Sequence, residues 1–193
     1  MRLFVAAYPP TAALDDLATR VDGLRVGRAA TAGVNARLAA RPLWHLTVAF
    51  LGDVDERRQD AAAAAVDRAA VEADGLPMLR LAGGGTFGRG NFTTMWVGLA
   101  GDVDSLESLA GTVRAKLRRA HVRYDRKPFR AHLTIARPGQ RLPRDQIDAD
   151  VEALATYTGP TWPLTEMILV ESHQGPHPTH VPLHRAELGR RTQ

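Results

Sequence analysis

HLTVAF at residues 45–50 and HLTIAR at residues 132–137 are nearly the same hexapeptide, written twice 87 residues apart. Each pairs a His with a Thr two places on and fills the positions between and after with aliphatic residues, a composition suited to a strand. Successive side chains of a strand alternate faces, so His45 and Thr47 point one way while Leu46 and Val48 point the other. The same holds for His132 and Thr134 against Leu133 and Ile135. The aliphatic pair then anchors each strand in a core, and the polar pair faces outward. A single His-x-Thr reads as a satisfied polar residue at a sheet edge. Two copies with matching flanks read as two contributions to one shared site.

Working outward, RLFVAAY at 2–8 reads as a strand, followed by a helix over about 12–24 on the spacing of Leu14, Leu17, Val21 and Leu24. Residues 27–42 show no period, carry Arg28, Arg37 and Arg41, and read as a long loop. LWHLTVAFL at 43–51 is a strand, and an Ala-rich helix over 55–75 is stopped by Gly75. Strands follow near 76–82 and 93–100. Between them GGGTFGRGN, 83–91, lacks the ending of a phosphate-binding loop and opens no helix, so it reads as a hairpin connection. A helix over about 103–120 begins with Asp104 and Glu107 in capping-box spacing and ends on Arg118 and Arg119. After the strand FRAHLTIAR come a Pro-rich turn, a helix near 144–157 and strands near 164–172 and 179–188. The expectation is an α+β fold of about eight strands and four helices. Dividing the chain near residue 100 gives two similar lobes that face each other, one HLT strand in each, within a single domain over 1–193.

The 193 residues suffice for a sizeable core, and no apolar run approaches the roughly 18 residues of a membrane span. Met1-Arg2 leads into a short apolar run that meets Pro9 and Pro10, unlike a signal peptide, so a cytoplasmic monomer without membrane attachment is expected. The absence of Cys excludes disulfides, thiolate metal sites and Cys nucleophiles. The net charge of +4 is carried by Arg, Lys116 and Lys127 being the only lysines, and a planar guanidinium suits a phosphate ligand. Two imidazoles serve as acid and base together, as in-line attack on a phosphodiester requires, with threonine hydroxyls donating to the non-bridging oxygens. No HExxH or carboxylate cluster completes a metal centre, so neither metal nor cofactor is expected. His173, His177, His180 and His184 crowd the C-terminal stretch, but Pro176, Pro178 and Pro182 forbid the helix that would align them. They read as surface loop and strand histidines.

These residues resemble the 2H phosphoesterase superfamily, with its paired His-x-Thr/Ser motifs, and within it the RNA 2′,3′-cyclic phosphodiesterase, or 2′-5′ RNA ligase, family. The similarity runs through RLFVAAYPP, WHLTVAFLGDV, GGTFGRGN, MWVGL, FRAHLTIARPG and VESHQGP in order. It implies a bilobal fold of two lobes of antiparallel sheet with flanking helices, related by a pseudo-twofold axis, with the active cleft between them. It also implies metal-free opening of a 2′,3′-cyclic phosphate to leave a 2′-phosphate, with RNA 3′ ends or nucleotide cyclic phosphates as partners. Carried over by motif, His45 is the proton donor to O3′, His132 the proton acceptor that activates water, and Thr47 and Thr134 the ligands of phosphate oxygens. Arg137 is the contact to phosphate or nucleotide; Phe50, its counterpart in the first motif, packs in the core or stacks on a base. Two departures stand out: Ala131 where the family often has Pro, and His180 where a Tyr is common. Other readings of the same residues are 2′-5′ ligation, hydrolysis of a small cyclic metabolite, and RNA-end binding without turnover.

Overall fold

A computed structural model describes residues 1–189; the last four residues of the 1–193 span lie outside the described residues. In chain order the elements are β1 (Arg2–Ala7), α1 (Thr11–Gly23), α2 (Arg25–Thr31), β2 (Leu46–Asp53), α3 (Gln59–Val71), β3 (Met78–Phe87) and β4 (Thr94–Gly101). There follow α4 (Val103–Arg119), β5 (His132–Ala136), α5 (Arg144–Ala155), β6 (Trp162–Pro163), β7 (Glu166–His173) and β8 (Thr179–Glu187). All eight strands join one curled antiparallel sheet in the order β6-β3-β4-β5-β2-β1-β7-β8.

The unbroken apolar run of β1 is explained by burial on both faces. Leu3, Val5 and Ala7 face the helices and the main core, whereas Phe4 and Ala6 join Ile168 and Val170 on the opposite face, with Tyr8 and Phe50 packed beside them. On the helix side α3 packs on α4 and on the β7–β8 hairpin, α4 on β2, and α5 on β3. The strand order is pseudo-symmetric about its centre. β2 and β5 are neighbours, β1 flanks β2 as β4 flanks β5, and β7-β8 and β3-β6 complete the two halves. A helical excursion separates β1 from β2, and α4 separates β4 from β5 in the same way.

The α+β expectation holds, and four details differ. The halves do not divide the chain near residue 100: β3 and β4 form a hairpin that cannot be parted, so they join β5 and β6, while β7 and β8 return from the C-terminal end to β1 and β2. The 27–42 segment is not all loop. It overlaps α2, whose first N–H groups, of Arg25 and Val26, donate to the buried Asp150 carboxylate of α5 at 2.8 and 2.9 Å. This cap arrives from more than a hundred residues away, where no local pattern reveals it. The glycines of 83–85 lie inside β3, and the turn to β4 occupies only residues 88–93. Finally, Asp104 sits within the first turn of α4 rather than capping it; the residue before the helix, Asp102, accepts the Met78 N–H at 2.9 Å instead. Among the described residues no helix is long and apolar enough to cross a membrane.

Candidate active site

The two His-x-Thr strands meet at the centre of the sheet through a single antiparallel pair, Leu46 opposite Leu133, both fully buried. Antiparallel partners count in opposite directions, so this pair sets Thr47 across from His132 and Thr134 across from His45. All four polar side chains therefore gather on the sheet face away from the helices, at the point where the two halves join.

Each imidazole is held in the same way. The Nδ1–H of His45 donates to the Leu43 carbonyl at 2.6 Å, and that of His132 donates to the Arg130 carbonyl at 2.7 Å. In both copies the acceptor lies two residues before the His. Assigned from these bonds, the tautomer leaves Nε2 bare on each ring. The bare Nε2 of His45 accepts from the Thr47 hydroxyl at 3.1 Å.

A second shared feature follows the Thr. Along β1 and β2, Ala6 stands opposite Thr47 and Val5 opposite Ala49, so Val48 is skipped. Along β4 and β5, Trp96 stands opposite Thr134 and Met95 opposite Ala136, so Ile135 is skipped. These are matching β-bulges. Val48 and Ala49 both turn into the core, as do Ile135 and Ala136. Strict alternation would send the fifth residue after each His to the helix side; the extra residue returns it to the face of the His. Phe50 accordingly lies opposite Phe4 on the site face. Its ring packs against the Phe4, Ala6, Ile168 and Val170 cluster, and the Arg2 guanidinium lies over it at 5.0 Å.

Arg137 follows the second bulge, is exposed, and reaches the site through its charge, which disfavours protonation of His45. Its backbone is stitched to the 35–40 segment: the Arg137 N–H donates to the Arg37 carbonyl at 3.1 Å and the Ala39 N–H to the Ile135 carbonyl at 2.8 Å. Arg41 points elsewhere, pairing with Asp15 at 2.5 Å.

His180, which the sequence reading left on the surface, enters the site from β8. Its ring meets His45 edge-on at 4.9 Å and Phe4 at 4.9 Å, and the Tyr8 hydroxyl lies 3.4 Å from its Nδ1. Around His132 the neighbours are Phe87 at 4.9 Å and Trp96 at 6.4 Å, themselves stacked at 5.1 Å. The Arg130 guanidinium lies over Phe87 at 5.4 Å. Gly85 makes this possible, since a Cβ there would come 2.6 Å from the Trp96 ring. Gly84 serves the other face, where a Cβ would collide with Leu154 of α5.

Burial sets the electrostatics. It pulls the His45 pKa down from 6.5 to about 4, with the His180, His132 and Arg137 charges adding to the shift and the bond to Leu43 opposing it. Burial lowers the His180 pKa as well, and raises that of Tyr8 to about 12. In the free protein at neutral pH His45 is a neutral imidazole. The remaining C-terminal histidines lie outside the cluster, His173 beside Glu171 at 3.2 Å and His184 beside Asp67 at 2.7 Å. Among the described residues no group of three or more His, Asp or Glu side chains is placed to hold a metal ion. The site thus offers two imidazoles with unprotonated Nε2 atoms, two hydroxyls and a guanidinium, a set able to hold an anion and to move a proton at each of two points.

No curated protein sequence matches the chain. Solved structures do. TT0787 of Thermus thermophilus is 25% identical with a TM-score of 0.71, the match covering 97% of this chain and 98% of that one. LigT of E. coli, solved with NADP+, is 23% identical with a TM-score of 0.73 and 98% of both chains covered. The MHV ns2 PDE domain, at 13% identity and a TM-score of 0.57, has the same fold over 95% of this chain and 100% of that one. The family model of the 2′-5′ RNA ligase superfamily matches residues 13–176, a span that takes in both His-x-Thr strands and their bulges. On that match and on a fold shared from end to end with LigT, the chain belongs to the 2′-5′ RNA ligase superfamily of 2H phosphoesterases.

Proposed function

We propose that the protein hydrolyses 2′,3′-cyclic phosphates at RNA or nucleotide ends to 2′-phosphomonoesters without a metal. The observation that carries the reading is the matching tethering of His45 and His132, each with Nδ1–H committed to the carbonyl two residues before it and Nε2 left unprotonated toward the site. In this reading His132 Nε2 takes a proton from water as the water oxygen bonds to phosphorus. The P–O3′ bond breaks, and protonated His45 delivers its Nε2 proton to O3′. Thr47 and Thr134 donate to the non-bridging oxygens, and Arg137 balances their charge. Structures of E. coli LigT with ATP, 3′-AMP and phosphate support a nucleotide or RNA end as the ligand.

The depressed His45 pKa fits this role only once substrate is bound. Burial in the unliganded site, with the Arg137 charge beside it, favours the neutral imidazole, while a phosphodiester anion placed next to the ring favours the imidazolium. Substrate binding and proton uptake are then one event, which arms the acid when there is something to protonate. His180, in edge contact with both His45 and Phe4, packs with Phe4 against the His45 ring and acts as a positioning residue. Ligation forming a 2′-5′ bond would use the same two groups with roles exchanged. The test is turnover of a nucleoside 2′,3′-cyclic phosphate by the wild type and by His132→Ala. Hydrolysis by the first and its loss in the second is expected; equal rates would overturn the assignment.

A further inference from the structure

Away from this site the chain assembles a second group of cations. Residues 114–130, from the last turns of α4 to the start of β5, hold eight Lys and Arg against one carboxylate, Asp125. Lys116 is buried and committed to Glu72, and Asp125 is engaged by Lys127, whose N–H it accepts at 3.0 Å. Arg114, Arg118, Arg123 and Arg126, with His121 and Tyr124, line a groove of about 680 Å³. Among the described residues none of these four guanidiniums makes a salt bridge or a side-chain hydrogen bond; the Arg114 charge acts on Asp125, and its Nε is buried without a hydrogen-bond partner.

Local structure accounts for only part of this. The C-terminal end of a helix favours cations, which explains Arg118 in the last turn of α4, yet it offers nothing to Arg114, Arg123 or Arg126. His121 is also telling. The Val122 N–H bonds to the Leu117 carbonyl and the His121 N–H to that of Arg118, a Schellman ending in which His121 holds φ of +55°. Glycine would fill that position with less strain; a His there puts an imidazole on the groove wall.

The loop that lines the groove is joined to β2 by its backbone. Between Tyr124 and Arg126, the Asp125 N–H donates to the Phe50 carbonyl at 2.7 Å, and Phe50 lies on the site face with Arg2 over its ring. From Arg126 the chain runs six residues to His132, a reach of at most about 20 Å. It passes Arg130, whose carbonyl fixes the His132 tautomer.

We propose that this groove binds the sugar–phosphate backbone of single-stranded RNA, the few nucleotides on the 5′ side of the reacting end. The natural substrate is then an oligonucleotide rather than a mononucleotide. The proposal rests on the phosphodiesterase reading given above and names the substrate class for it. Guanidinium forks match phosphate oxygens, Tyr124 offers a ring for a base, and a groove of this reach suits the short segments that single-strand sites cover.

The test uses Arg118→Gln with Arg123→Gln, both exposed side chains, in the full-length protein. Fluorescence anisotropy with a labelled 12-nucleotide RNA ending in a 3′-phosphate reads binding as a function of salt. The double variant should bind at least tenfold more weakly at low salt, and its log–log salt slope should flatten by about 1.4, for two lost phosphate contacts on a single strand. Turnover of a nucleoside 2′,3′-cyclic phosphate should not change. Unaltered RNA affinity and slope would overturn the proposal, as would an equal loss with the mononucleotide. Displacement of the RNA by inorganic phosphate at submillimolar concentration would overturn it too, by assigning the groove to a small anion. Should no cyclic phosphate be turned over by the wild type, the catalytic reading fails on its own, and the anisotropy still decides whether the groove holds RNA.

Discussion

Binding of a phosphodiester anion should return a proton to His45, and the size of the effect follows from the structure. Moving an imidazole from 6.5 to about 4 corresponds to about 3 kcal/mol against the charged form. A unit negative charge about 4 Å from the ring contributes about 4 kcal/mol in the opposite sense at the effective dielectric typical of protein sites. The two nearly cancel, so the pKa in the complex should rise to 6 or above. The sign follows from linkage: between the free and bound pKa values, binding takes up one proton. Affinity for the anion should therefore increase about tenfold for each unit of pH decrease between about 6 and 4, and level off outside that window. A nucleoside 2′,3′-cyclic phosphate suits the measurement, because its charge is constant over this range, and the His132→Ala variant should leave it intact. Imidazole NMR would follow His45 with and without ligand, and calorimetry would follow affinity. A free His45 that titrates near 6.5, or one whose titration the ligand leaves in place, would refute the coupling of binding to acid activation.

Replacing His45 or His132 by Ala should lower turnover about 10²- to 10⁴-fold while circular dichroism and Tm stay close to wild type, as for loss of one acid or base. Gly85→Ala would drive a methyl into the Trp96 ring, and should cost about 1–3 kcal/mol in denaturant unfolding and reduce kcat by disturbing the aromatic wall beside His132. Gly111→Ala, where a Cβ meets nothing within 4 Å, is the control and should not destabilise. Asp150→Ala strips the N–H groups of Arg25 and Val26 of a buried acceptor and should cost about 1–3 kcal/mol, with hydrogen exchange rising first in α2.

Much of the site was legible because strand alternation is a hard geometric rule. Leu46 and Leu133 had to be buried if His45, Thr47, His132 and Thr134 were to share a face, and they are. Arg137 and Phe50 reach the same face only through the bulges at Val48 and Ile135, and a bulge depends on the partner strand, which sequence does not display. His180 was obscured for the same reason. His180 and His184 are an even number of residues apart and would share a face in a regular strand. In β8, however, Val170 pairs with Pro182 and Leu169 with His184, so one bulge sends His180 to the site and His184 to Asp67 of α3. The glycines at 83–85 suggested a turn because their reasons lie elsewhere: Gly83 holds φ of +64° at a bulge, and Gly84 and Gly85 admit the Leu154 side chain and the Trp96 ring. The chain division near residue 100 failed because hairpins, not halves of the sequence, are the units that pair.

The measurement that bears most directly on the central claim is phosphorus NMR of a nucleoside 2′,3′-cyclic phosphate and of a short RNA ending in one, incubated with the protein in EDTA. The account predicts a 2′-phosphomonoester from both, at a rate EDTA does not change, because the proton from His45 goes to O3′. A 3′-phosphate product, or activity that EDTA abolishes and a divalent metal restores, would contradict it.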